Sequence, residues 1–159
     1  MRASVCLAGL LSALVVARIH ADTPLPVLYT LHCSGCHGED GRGVPERGIP
    51  DLINAGSYVT VAIGRRYLIE VPGVSQSVLS NSQAADMLNY ILARFSVDQL
   101  PKPFSPYTVD EVARFRSNKA SDAPTRREAI LAQLRRSELL RVSYAAPNVG
   151  ISEASQRKK

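Results

Sequence analysis

The sequence predicts a helical protein, on three observations. Ser80 is followed three residues later by Gln83, the spacing of a capping box, and Ala84, Met87, Leu88, Ile91 and Phe95 then recur at helical intervals along one apolar face. Thr108 with Glu111 and Thr125 with Glu128 repeat the capping-box spacing nearer the C-terminus. The apolar stretch "VLYTL" runs into a pair of cysteines with no Gly or Pro to break it. A chain of 159 residues, 45% apolar and 21% charged, can bury one compact core, and this composition argues against disorder throughout.

The N-terminus reads as a secretory signal peptide over residues 1–21. Met1 and Arg2 supply a positive start, Val5 to Ala17 give thirteen uncharged residues, and Ala17 and Ala21 are small enough for cleavage. A bilayer span takes about 20 apolar residues, so this run is short for one, and an uncleaved anchor is the alternative. Cys6 lies inside the run, outside a lipoprotein Leu-x-x-Cys context, and is given no role. Processing would leave two cysteines, Cys33 and Cys36. In an oxidising compartment these must be bridged, reactive or ligated.

A first helix is expected to carry Cys33, Cys36 and His37 and to stop at Gly38, followed by an extended Gly- and Pro-rich loop over 38–56. A helix from Ser57 to about Ile69 comes next, although Tyr58, Val59, Thr60 and Val61 are weak helix formers and leave a strand as its rival. "VPGVSQSVLS" reads as loop, leading to the Ser80-capped helix. Pro101, Pro103 and Pro106 then break the chain before a short helix from Thr108 to about Arg116. A basic amphipathic helix from about Arg126 to Leu140 follows, with Ile130, Leu131, Leu134 and Leu139 as its apolar stripe. The division expected is a domain over 22–100 and a Pro-rich linker with a basic helical extension over 101–159.

Charge is unevenly spread. Residues 22–98 hold five Lys/Arg against eight Asp/Glu, whereas residues 99–159 hold twelve against six. An exported chain with a basic tail points to a protein partner or an anionic membrane face and away from nucleic acid. A solvated helix face is the simpler reading of the same charges.

The chemistry concentrates in Cys33-Ser34-Gly35-Cys36-His37. On a helix, thiols three positions apart share a face and can add to the two vinyl groups of one porphyrin, while the next residue, His37, offers its imidazole to the iron. This is the pattern of c-type haem attachment. A thioredoxin-like dithiol would follow a strand, and none precedes Cys33. A structural zinc site wants two ligand pairs well separated in sequence, whereas His32, Cys33, Cys36 and His37 fall within six residues.

From about Pro24 to Phe95 the chain resembles the single-haem, class I cytochromes c. The resemblance rests on Tyr29, then Cys33, Cys36, His37, Gly38, Asp40, Gly41 and Gly43, then Pro50 and Leu52, then Tyr90 and Ile91. It implies an all-α cytochrome c-like fold around one covalently attached haem c, in which the first and last helices cross and the Pro50 carbonyl fixes the tautomer of His37. It also implies Cys33 and Cys36 as the thioether residues and His37 as the proximal ligand.

The resemblance fails at the sixth iron ligand. Family members supply a methionine before the last helix, where this chain has Val71 in "IEVPGVSQS". Met87 is the one methionine left after processing, but its place on the apolar face of its helix suits core filling. The alternatives are an open iron or a weak ligand such as water, Tyr67 or Gln76. Arg65 and Arg66 are candidates to pair with the haem propionates. The function expected is a periplasmic electron carrier, with no catalytic residue, that meets a redox partner protein through its basic C-terminal region. The alternative is a haem protein whose open distal site binds a small ligand such as a gas or peroxide. Membrane association is expected only if the N-terminal segment stays attached.

Overall fold

The computed structural model of the protein describes residues 23–118 and 122–145. Its elements are α1 (Leu25–His32), α2 (Ser34–His37), a 3-10 turn (Pro45–Arg47), α3 (Ala55–Tyr58), α4 (Ala62–Glu70), α5 (Pro72–Ser75), α6 (Asn81–Phe95), a second 3-10 turn (Val97–Gln99), α7 (Val109–Phe115) and α8 (Ala123–Ala145). Among the described residues extended pairing is limited to one isolated bridge, Val44 with Ile49, so the fold is all-α as expected.

Two expected helices are each divided. At Cys33 the backbone leaves helical values (φ −125°, ψ −42°), so α1 ends at His32 and α2 begins at Ser34. Hydrogen bonding nevertheless continues through the break, because the Cys33 N–H donates to Tyr29 O and the Cys33 carbonyl accepts from His37 N–H. The helix expected from Ser57 splits into α3 and α4, with Val61 extended (φ −124°, ψ 136°) between them. The β-branched run Val59-Thr60-Val61 resists helical χ1 values, and the chain answers with a break rather than with a strand. The segment expected as loop after Val71 contains α5, started by Pro72 at a first-turn position that needs no N–H.

The strongest sequence signal forms in full. Ser80 Oγ accepts from Gln83 N–H at 3.1 Å and Gln83 Oε1 accepts from Ser80 N–H at 2.9 Å, closing the capping box of α6. The apolar face of α6 buries Ala84, Ala85, Met87, Leu88, Ile91 and Leu92. In α7 the box is half closed: Thr108 Oγ1 accepts from Glu111 N–H at 3.2 Å, but the Glu111 carboxylate is drawn off to Arg65. Helix α8 starts at Ala123 instead of near Arg126, with Pro124 in the first turn, so Thr125 is helical and not a cap. The side chain of Leu139 and the segment 1–22 lie outside the described residues.

Helix α1 meets α6 through aromatic rings, Tyr29 lying 6.2 Å from Tyr90 and 5.3 Å from Phe95, centroid to centroid. The core then runs on past the boundary expected at residue 100. Tyr107 and Val112 are buried in the same cluster as Tyr29, Ile69, Leu88 and Leu92. Asn89 of α6 holds Tyr107 like a ladder partner, accepting from its N–H at 2.8 Å and donating to its carbonyl at 3.0 Å. The Tyr107 hydroxyl donates to Arg65 O at 2.8 Å, and burial pushes its pKa far up.

Helix α8 is docked as well. Ile130 is buried against the stacked pair Tyr58 and Tyr67, with Leu131 and Leu134 at the edge of that cluster. Glu70, fully buried at the end of α4, is held by Arg66 (2.6 Å) and by Arg126 of α8 (2.5 Å). A carboxylate taken out of water needs such charged donors, so this arrangement clips α8 to α4.

Because Val112 is fully buried in the core shared by α6 and α7, Val112→Ala should lower the stability of the whole body by about 2 kcal/mol, in the range of large-to-small core substitutions. Urea unfolding followed by circular dichroism should show one transition moved to lower denaturant. A separate early transition, with the main one unmoved, would mean that α7 is not integral to the core.

Candidate cofactor site

The site is built around the junction of α1 and α2. Gly38 ends α2 with φ +74° and donates from its N–H to Ser34 O, while its carbonyl accepts from the Tyr29 hydroxyl at 2.6 Å. That bond ties the turn after His37 back to α1. Burial, with the nearby Cys33 and Glu39 adding to it, pushes the Tyr29 phenol up to about 12, so it remains a donor.

The loop after Gly38 folds back beneath His37. The His37 carbonyl accepts from Gly43 N–H at 2.8 Å and the Gly41 carbonyl from Leu52 N–H at 2.7 Å. This brings the Pro50 carbonyl to 3.0 Å from His37 Nδ1. A carbonyl only accepts, so Nδ1 carries the proton and Nε2 keeps its lone pair. Burial lowers the His37 pKa, and the bond to Pro50 opposes this more weakly. The imidazole is therefore held neutral, the form a metal ligand must take.

Gly43 makes this return possible. Its φ is +65°, and a Cβ there would stand 2.5 Å from Pro50 O and 2.6 Å from Ile49 O. The backbone of residue 43 and the carbonyl that orients His37 thus occupy adjacent space that no side chain can share. The sequence pattern marked Gly43 and Pro50 separately; their contact emerges only from the folded loop.

Cys33 and Cys36 are free thiols, Cys33 half-buried and Cys36 exposed. Burial raises the Cys33 pKa, with Cys36 adding to the effect, so the thiol form is favoured. Beside Cys33 opens a narrow cleft whose lining is His32, Gly73, Val74, Ser77, Leu79, Ala84, Met87, Leu88 and Ile91. Most of this lining is apolar, drawn from α6 and from the segment between α4 and α6.

Other sequence candidates are placed differently. Met87, almost wholly buried, lines the cleft with Cys33. Val71 and Tyr67 sit instead in the cluster with Tyr58 and Ile130, and the Tyr67 hydroxyl donates to Ala123 O at 3.1 Å. Arg65 and Arg66, expected to meet propionates, have protein partners. Arg65 makes two bonds to Glu111, at 2.6 and 2.7 Å, donates to Ser105 O and Pro106 O, and lies 4.2 Å above the Tyr107 ring. Arg66 holds Glu70 and lies 5.0 Å from the Phe115 ring. Each guanidinium already has a carboxylate in reach, and neither lines the cleft. Sequence reasoning could not see the partner of Arg65, because Glu111 is 46 positions away, whereas Glu70 stands one helical turn from Arg66 and was within reach of an i,i+4 reading.

Residues 26–77 match the family model described as Cytochrome c. The chain carries a cytochrome c domain. It is similar to cytochrome c-552 of Thermus thermophilus, 29% identical over 105 residues that cover 55% of this chain and 80% of the relative. It is similar also to the cytochrome c-552 of a designated strain of that species, again 29% identical over 105 residues, covering 55% of this chain and 71% of the relative. The cytochrome c family is one of haem electron-transfer proteins, and it implies a covalently attached haem c. The residues of this cytochrome c domain fit the group. Two free thiols flank a turn, the adjacent imidazole presents an unprotonated Nε2, and an apolar cleft opens beside Cys33.

Gly43→Ala should force Pro50 away from His37 and strain the backbone at a positive φ, costing about 1–3 kcal/mol. The thermal midpoint of the purified protein and its content of covalent haem should both fall. Unchanged values for both would show that the close approach of residues 43 and 50 is not required.

Proposed function

We propose that this cytochrome c domain belongs to an exported, periplasmic carrier of single electrons. In this reading Cys33 and Cys36 would hold the haem covalently through thioether bonds. His37 would offer Nε2 to the iron. The haem, when bound, supplies reversible one-electron chemistry. The chain attaches it, orients its ligand and keeps water away.

The observation that carries this reading is the bond from His37 Nδ1 to Pro50 O at 3.0 Å, next to two unbridged cysteines. It holds one proton at Nδ1, fixes the ring plane and raises the basicity of Nε2, as outer partners of ligating histidines generally do. Leu79, Ala84, Leu88 and Ile91 provide dry walls. Export rests on the N-terminal segment 1–21 of the sequence; among the described residues no helix is long and apolar enough to cross a membrane. The partner is a redox protein that docks on the basic C-terminal region, where Arg135 and Arg136 of α8 are exposed.

A second reading, an open distal position that binds a gas or peroxide, is favoured by one observation. The segment covering the cleft contributes Gly73, Val74, Ser77 and Leu79, and Val71 packs away from it with Tyr58 and Tyr67. Met87 is the group in the cleft that distinguishes the two readings, since its thioether can serve as sixth ligand and raise the potential.

Protein matured in a host with c-type haem attachment should retain its pigment through acid-acetone extraction and give a pyridine haemochrome of one haem c. Cys33→Ser and Cys36→Ser should each shift that band to the position of a single thioether, and a colourless product would end the proposal. Carbon monoxide distinguishes the readings of the distal side. A ferrous spectrum indifferent to it supports the carrier with Met87 bound, whereas rapid adduct formation, unchanged in Met87→Leu, supports the open site.

A further inference from the structure

The stretch from Val74 in α5 to Leu79 before α6 covers the cleft through Val74, Ser77 and Leu79, and its backbone bonds are local ones, such as Gln76 N–H to Pro72 O and Ser77 N–H to Val74 O. One side chain from α7, which packs on α6, holds it to the rest of the core. Arg116, at the C-cap of α7, donates from Nε to Val74 O at 3.1 Å. Nη1 donates to Leu79 O at 2.5 Å and to Asn81 Oδ1 at 3.2 Å. Nη2 donates to Ser77 O at 2.7 Å and to Ser77 Oγ at 2.8 Å.

Three carbonyls of one short segment thus converge on a single guanidinium contributed some forty positions later. These acceptors are all neutral oxygens, and burial lowers the Arg116 pKa. The charge is therefore spent on organising carbonyl dipoles and not on a carboxylate. A guanidinium suits this task because its donors form a rigid planar fork that an ammonium cannot reproduce.

We propose that Arg116 is a positioning residue for the haem site: it clamps residues 74–81 over the cleft and so sets how readily an outside molecule reaches the distal side. The idea rests on the haem reading above. The C-terminal region of the chain then acts on the site through α7, as a strap whose buckle is this one side chain. Val112, buried one turn before Arg116, anchors the strap in the core.

The test uses full-length matured protein and imidazole as the probe of the ferric form. Arg116→Ala should speed imidazole association about tenfold, the change expected when the barrier loses roughly one charge-assisted hydrogen bond. Methylguanidine added to that variant should slow the rate again. Arg116→Lys, which keeps the charge and loses the fork, should lie between. Glu111→Gln loosens α7 through its bond to Arg65 and touches no residue of 74–81, so it should lower the thermal midpoint and leave the rate alone. Hydrogen exchange, which needs no haem, should show faster exchange at the amides of Gln76 and Ser77 in Arg116→Ala, with the centre of α6 unchanged. An unaltered association rate with a lowered midpoint, or equal acceleration in Glu111→Gln, overturns the proposal. A protein without covalent haem would instead sink the haem reading, and the exchange data would still decide whether Arg116 holds the segment.

Discussion

The hydrogen bond between His37 Nδ1 and Pro50 O is the constraint around which the site is arranged. His37 is fixed at its backbone by following Cys36 in α2, but its ring could still turn about χ1 and χ2. The carbonyl removes that freedom and selects the tautomer in one contact. The geometry has a cost in the loop. Gly43 must adopt a positive φ and give up any side chain, and Gly38 must turn the chain sharply after His37. The Tyr29 hydroxyl then secures the turn to α1, whose ring contacts with Tyr90 and Phe95 fix it against α6. Orientation of one imidazole is thereby linked, contact by contact, to the packing of α1 against α6.

The region beyond residue 100 has two attachments of different kinds. Residues 104–116 enter the core itself through Tyr107 and Val112, with the Asn89 amide satisfying both backbone groups of Tyr107. Helix α8 lies on a separate cluster, where Ile130 covers Tyr58 and Tyr67 and Arg126 reaches Glu70. Its basic character is thus partly structural: Arg126 neutralises a buried carboxylate, while Arg135 and Arg136 face solvent. Arginines serve as the fasteners throughout, since Arg65 joins α4 to α7 through Glu111 and Arg116 joins α7 to the segment before α6. Each fork satisfies several acceptors at once, which a compact chain with few sheet-type backbone pairings needs.

Much of this was legible in the residues alone. The Ser80–Gln83 box and the spacing of Ala84, Met87, Leu88 and Ile91 mark α6 because capping and amphipathic periodicity are local properties. Thr108 was readable as a cap, but only half the box forms, because Arg65 offers Glu111 a stronger partner than a backbone N–H. The divided helices at Cys33 and at Val59–Val61 were less legible, since a weak propensity tells where a helix is vulnerable and not whether tertiary contacts will break it. Arg65 and Arg66 were recognisable as charged groups in want of carboxylates. Their partners turned out to be Glu111 and Glu70, one distant in sequence and the other a single helical turn away.

By itself the sequence determined that two thiols and an imidazole fall in a five-residue pattern suited to haem c, and the helical character of the chain around it. Those are matters of covalent spacing and of local periodicity. Only the tertiary structure decided which carbonyl meets His37, which methionine and aliphatic side chains wall the cleft beside Cys33, and that Arg116 reaches the segment above it. Such contacts depend on where distant stretches of chain come to lie once the core has closed, and no interval along the sequence encodes that distance.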